Sequence, residues 1–120
     1  MRKGNGGKQK GRADMKKYIL DGKVPVPCDD VLSWGKEYEK QDRRVARDKV
    51  GDTSISTVFL GIDHNCTEKG PPELFETMIF GGEHDDYQKR YATWEEAEAG
   101  HAKALKMVKE GNHDRKEDTV

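Results

Sequence analysis

The sequence predicts an α+β domain: a three- to four-stranded antiparallel meander with an N-terminal helix and a C-terminal helix packed on one face. Three observations carry this. Two strand-like runs, RRVARDKV (43–50) and TSISTVFLGID (53–63), flank a short Gly51-Asp52 turn, which is the mark of a β-hairpin. A third run, ELFETMIFGG (73–82), follows a loop rich in Gly, Pro and Asn. The stretch T-W-E-E at 93–96 opens a long amphipathic helix with a capping box.

The elements follow in order. Tyr18-Ile19-Leu20 suits a short strand or a docking arm, and Asp21-Gly22 is a turn signal. Pro25 and Pro27 hold the next residues extended. Asp29 is placed to cap a helix over about 30–41, with Asp30 adding negative charge to the first turn. Val31, Trp34 and Tyr38 then form one apolar stripe, and Gly35 weakens the helix. After the hairpin comes the loop HNCTEKGPP (64–72), then the strand 73–82, then a short returning strand near Gln88–Tyr91. In the last helix, Thr93 caps the Glu96 amide while Glu96 reaches back to Thr93. Trp94, Ala97, His101, Ala104, Leu105 and Val108 make its inner stripe, with Gly100 costing some propensity and Gly111 a natural stop.

The chain has 120 residues, 32% hydrophobic and 38% charged, with 22 Lys+Arg against 23 Asp+Glu. The balance excludes a polycation or polyanion as a whole, yet residues 1–17 hold seven Lys/Arg and one acid. Such a segment buries too little apolar surface to offset its ordering entropy. The expected division is a disordered basic tail over 1–14, one domain over 15–110 and a disordered tail over 111–120. The core is modest, about a dozen large apolar side chains, so self-association as a homodimer is an expectation. Cys28 and Cys66 do not make a disulfide framework, and a reducing, cytoplasmic setting is the simplest reading. No apolar run is long enough to span a membrane, so no membrane partner is expected.

The hairpin register predicts the faces of the sheet. Pairing 50 with 53 places 45 opposite 58, and a strand reaching residue 63 places 63 opposite 74. One face then collects Val45, Val58, Leu60, Ile62, Phe75 and Ile79, a core that both helices can cover. The other collects Arg44, Ala46, Asp48, Ile55, Thr57, Phe59, Asp63, Leu74, Glu76, Met78 and Phe80. On it, Phe59, Met78 and Phe80 form an apolar patch rimmed by Arg44, Asp63 and Glu76, the kind of patch that marks a partner or ligand surface. The competing reading covers that patch with the Tyr18–Leu20 arm or a second subunit.

No catalytic constellation emerges. Asp63, His64 and Glu76 hold the ingredients of acid–base chemistry, but no serine or cysteine stands beside them, and Asp63-His64 at a strand end suits loop capping. His64, Cys66 and Cys28 lack the paired spacing of a zinc site, so neither a metal nor another cofactor is expected. His101 reads as a hydrogen-bonded, half-buried histidine rather than a ligand. GNGG (4–7) and Gly81-Gly82 lack the strand–turn–helix setting of a phosphate loop. The basic start offers weak, non-specific contact with nucleic acid.

The stretches M-K-K-Y-I-L-D-G, V-P-V-P-C-D-D, R-V-A-R-D-K-V-G, I-S-T-V-F-L-G-I-D-H, P-P-E-L-F-E-T-M-I-F-G-G and R-Y-A-T-W-E-E-A-E-A-G-H resemble a family of small bacteriophage- and prophage-encoded proteins with no assigned activity. The likeness spans about 15–108 and aligns Met15 with the usual start. It implies a bacterial host cytoplasm, but it carries no functional residue to this chain. The expected function is a phage-encoded, non-catalytic accessory protein. It binds a host protein or a small ligand through the open sheet face, with Arg44, Phe59, Asp63, His64, Glu76, Met78 and Phe80 as binding residues, in counter-defence or host control. The alternatives are a nucleic-acid-associated protein using the basic tail, and a small hydrolase or nucleotide-handling enzyme around Asp63, His64 and Glu76.

Overall fold

The computed structural model describes residues 16–65, 67 and 69–119, with the backbone alone over 112–119. Its elements are β1 (Tyr18–Asp21), β2 (Val24–Pro27), α1 (Val31–Lys40), β3 (Arg44–Val50), β4 (Thr53–Phe59), β5 (Phe75–Phe80), β6 (Gln88–Tyr91) and α2 (Trp94–Thr119). Strands β3–β4–β5–β6 form an antiparallel meander in sequence order, and β1 and β2 form a separate hairpin. The α+β class and the meander are as the sequence predicts. The basic tail over 1–14 lies outside the described residues.

Local chemistry sets the ends of the elements. Gly22 takes φ +67 in the β1–β2 turn, and Gly51 takes φ +59 in the β3–β4 turn. Helix α1 starts one residue later than expected: Asp30, not Asp29, is the cap, its carboxylate accepting from the Leu32 amide at 3.2 Å and the Ser33 hydroxyl at 2.8 Å. Those bonds hold the Asp30 carboxyl below its ordinary pKa, the Ser33 contact foremost. The capping box of α2 forms as expected. The Glu96 amide donates to Thr93 Oγ1 at 3.1 Å, and Glu96 Oε1 accepts from the amides of Ala92 and Thr93. Gly111 does not end α2, which runs on to Thr119. The residue lacks the left-handed φ of a helix-ending glycine, so it costs propensity without turning the chain.

The β3–β4 pairing begins as predicted, with Val50 opposite Thr53 and Ala46 opposite Thr57. A bulge between Arg44 and Ala46 then sets Arg44, not Val45, opposite Val58. The β4–β5 register departs further. Strand β4 ends at Phe59, and the pairs are Ile55–Ile79, Thr57–Thr77 and Phe59–Phe75. Gly61, at φ +79, breaks the alternation that would have carried Leu60 and Ile62 along the strand. It is also the seat of α1. Trp34 and Tyr38 stack at 4.8 Å above it, Trp34 Nε1 donates to its carbonyl at 3.2 Å, and a Cβ there would lie 2.6 Å from Tyr38.

This register reverses the expected faces on β4 alone; on β5, Phe75 and Ile79 lie in the core as expected. The buried face carries Ile55, Thr57 and Phe59 from β4 with Phe75, Thr77 and Ile79 from β5, not Val58, Leu60 and Ile62. Helix α2 covers it with Ala97, His101, Ala104 and Val108. Phe59, Leu74, Phe75, Tyr91 and Ala97 pack together at one end, joined by Tyr18, Leu20 and Val45. Ile55, Ile79, Ala104 and Val108 pack at the other. Each large side chain buried here stabilises the fold by about 2 kcal/mol before entropy. Helix α1 packs on β1 rather than on this face. The arm Tyr18–Leu20 docks at the end of the sheet through β1, where the Tyr18 amide donates to the Gly61 carbonyl at 2.8 Å.

Candidate functional site

The face of the sheet turned away from α2 is the first candidate. Cross-strand partners share a face, so the register sets three rows on it. These are Arg44–Val58–Glu76–Arg90, Arg47–Ser56–Met78–Gln88 and Lys49–Ser54–Phe80. Of the residues singled out in the sequence, Arg44, Glu76, Met78 and Phe80 do come together here. Phe59 does not: it is fully buried under α2, so the expected apolar patch loses its largest member. Ser54, Ser56 and Val58, all half-buried, make up the middle of this face. Phe80 flanks it at 49% exposure. On the other side stand Arg44, Arg47 and Lys49, all exposed and none ion-paired to a described residue. The acid of the face is engaged: Glu76 Oε2 accepts from Arg90 Nε at 3.0 Å and from the Gln88 side-chain Nε2. The surface left over is positive.

Asp63 and His64 belong to a loop clamp, not to this face. Asp63 Oδ1 accepts from the Asn65 amide at 2.8 Å and the Glu73 amide at 2.9 Å, closing the base of the 63–73 loop. His64 Nδ1 donates to the Ile62 carbonyl at 2.9 Å. The Asn65 side-chain amide donates to the carbonyls of Lys69 and Pro71. This is an Asx-type exit from a strand, with side chains standing in for a ladder. Asp63 and Glu76 are thus held by different partners, and the acid–base grouping around them does not assemble. Among the described residues, no group of three or more His, Cys, Asp or Glu could hold a metal ion.

Beneath α2 lies a polar chain that the sequence does not announce as a unit. His101 Nε2 donates to Asp48 Oδ2 at 2.8 Å, and Nδ1 is hydrogen-bonded to the Thr57 hydroxyl at 2.7 Å. Thr57 in turn bonds Thr77 across the β4–β5 ladder. An acid, an imidazole and a hydroxyl in line resemble a nucleophile with its base and orienter. Thr57 is fully buried, however, and no substrate can reach it. The chain satisfies two threonines and a histidine inside the core, where an orphaned partner would cost about 1–3 kcal/mol. The expectation of a hydrogen-bonded His101 holds; its partners Asp48 and Thr57 had no signal beyond spacing on neighbouring strands.

A third feature is a groove of about 710 Å³ between the 65–73 loop, β6 and the first half of α2. Lys69, Lys89 and Lys103 approach it from loop, strand and helix, and Tyr87, Pro71 and Pro72 wall it. Tyr91 forms part of its floor and is only 8% exposed. The hydroxyl ends against Gly100, where a Cβ would collide with the phenol. Thr77 and Tyr87 are its polar neighbours, but it makes no hydrogen bond of good geometry. Burial, foremost, pushes the Tyr91 pKa up, with Tyr87 adding to the rise and Thr77 opposing it.

No family model, no curated protein and no solved structure matches the chain, so the functional argument stands on this geometry.

Proposed function

We propose that the chain is a non-catalytic accessory binding protein that presents the open face of its sheet to an acidic surface of a host protein. One observation carries the reading: Arg44, Arg47 and Lys49 have no ion-pair partner among the described residues, on a sheet face that no described helix covers, beside the exposed Phe80. Unpaired cations beside exposed aromatic surface favour association with an oppositely charged partner and speed the encounter. A bacterial host setting, with host control or counter-defence as the purpose, is part of this proposal and rests on the sequence resemblance alone. A second reading, association with nucleic acid, draws on the same cations together with the basic residues of 1–17.

Charge reversal tests both. Arg44→Glu, Arg47→Glu and Lys49→Glu lie at exposed positions, where stability changes stay within about 0.5 kcal/mol each. Affinity capture from bacterial lysate, with and without nuclease, compares this triple variant with the parent. Proteins retained by the parent after nuclease and lost by the variant support the main reading. Capture that disappears with nuclease supports the second, and equal capture by both chains overturns the proposed face.

A further inference from the structure

We propose that the acidic partner docks as an extended segment, added antiparallel to the outer edge of β3, with acids at alternate positions opposite Arg47 and Lys49. This rests on the reading above and goes further, naming the form the partner takes. Strand β3 ends the meander, and among the described residues no strand pairs with its outer side. The phase of the ladder fixes which backbone groups that side presents. The Phe59 amide donates to the Arg43 carbonyl at 2.7 Å, and the Leu60 amide donates to the Leu74 carbonyl at 2.7 Å. Successive residues of β4 thus point in turn to β3 and to β5, so Thr53, Ile55 and Thr57 bond β3. Their partners Val50, Asp48 and Ala46 point inward, which leaves the amides and carbonyls of Arg47 and Lys49 aimed outward. Donors and acceptors set along an open edge are what a sheet uses to take up an extended peptide.

Charge says what kind of segment fits. The β4 partners of Arg47 and Lys49 are Ser56 and Ser54, so the ladder offers these cations no acid on its inner side. Both are exposed, and neither is ion-paired to a described residue. An added strand sets one side chain directly opposite each of them, close enough for a cross-strand pair. The residue between those two stands opposite Asp48, whose carboxylate is already hydrogen-bonded to His101 Nε2 at 2.8 Å. A second acid there is repelled. The edge therefore selects an acid, a non-acid and an acid in succession, and the bulge at Val45 confines the docked segment to 46–50. A copy of this chain would bring like charge to the same positions and is disfavoured.

The test uses the full chain and short capped peptides: alternating glutamate and valine, the same residues in two blocks, and alternating lysine and valine. Amide shifts and amide hydrogen exchange are followed by NMR during titration. The alternating acidic peptide should give saturable shifts and slowed exchange at the Arg47 and Lys49 amides. N-methylation of its glutamates, whose amides face β3 in this register, should weaken binding by at least about tenfold, the loss of two backbone hydrogen bonds. The block peptide should bind several-fold more weakly, because it cannot place acids opposite both cations without placing one opposite Asp48. Arg47→Glu with Lys49→Glu should lose the acidic peptide and gain the lysine one. Equal binding of the N-methylated peptide, with shifts over Arg44, Arg47 and Lys49 but no slowed exchange, overturns strand addition while the charged face stands. An absence of saturable shifts at millimolar peptide, or tighter binding of a single-stranded oligonucleotide, also overturns it. Docking of the acidic peptide as expected, with lysate capture equal for the parent and the triple variant above, upholds the edge and overturns the host-protein reading instead.

Discussion

Thr57 Oγ1 lies 2.7 Å from His101 Nδ1, which locks the middle of the sheet to the helix above it. Removing either partner strands the other. Thr57→Val and His101→Leu should each destabilise the fold by about 1–3 kcal/mol, the cost of an orphaned buried polar group. Replacing both should cost less than the sum, with a coupling of about 1 kcal/mol or more in urea denaturation. Strict additivity would show that the contact contributes nothing.

Gly100→Ala reverses a familiar rule. In an exposed helix the change stabilises by about 1 kcal/mol. Here a Cβ at 100 meets the Tyr91 phenol, so the ring must leave its place in the Phe59–Phe75 cluster. A lowered Tm is expected. Pairing the change with Tyr91→Ala should abolish the clash and return the helix-propensity gain.

Asp63 should behave as a loop clamp. Asp63→Ala removes the acceptor for two amides and is expected to cost about 2 kcal/mol. Asp63→Asn keeps an oxygen in place and should cost less than half of that. Hydrogen exchange at the Asn65 and Glu73 amides, faster in the alanine variant than in the asparagine one, is the direct check.

Alkaline pH should weaken the fold through two phenols. Burial raises the pKa of Tyr91, and burial followed by the charge of Asp63 raises that of Tyr18. The folded chain therefore holds these protons while the unfolded chain releases them near the ordinary value of 10.0. Their contribution is complete below that pH and is lost as the pH climbs through the higher folded values. Urea midpoints between about pH 9 and about pH 11 should fall, and fall less steeply in Tyr91→Phe and Tyr18→Phe.

Much of this architecture was legible in the residues. The turn at Gly51-Asp52 announced its hairpin, and Thr93 with Glu96 announced the start of α2, because each rests on chemistry within four residues. The faces of the sheet were not legible, and for a definite reason. Strand β4 is apolar on both sides, with Ile55 and Phe59 on one and Val58 on the other. The polar residues that share the buried face, Thr57 and Thr77, look like surface. Only His101, forty-four positions beyond Thr57, makes that face a core. The bulge at Val45 and the early exit at Gly61 then settle registers that alternation alone leaves open. Of the expected binding residues, those on β3 and β5 share a face because their rows pair directly. Phe59 lies on the opposite side of its strand, and Asp63 and His64 lie past the strand's end.

The outer strands of the meander carry a further consequence. β3 is an edge, and its sequence RVARDKV puts a charge at four of its seven positions beside a bulge. β6, the other edge, is short and carries Lys89 and Arg90. Bare amides and carbonyls on such borders would otherwise template the addition of another chain. Like charge and broken spacing make stacking of copies border to border unfavourable, which guards a chain of this size against fibrous self-assembly.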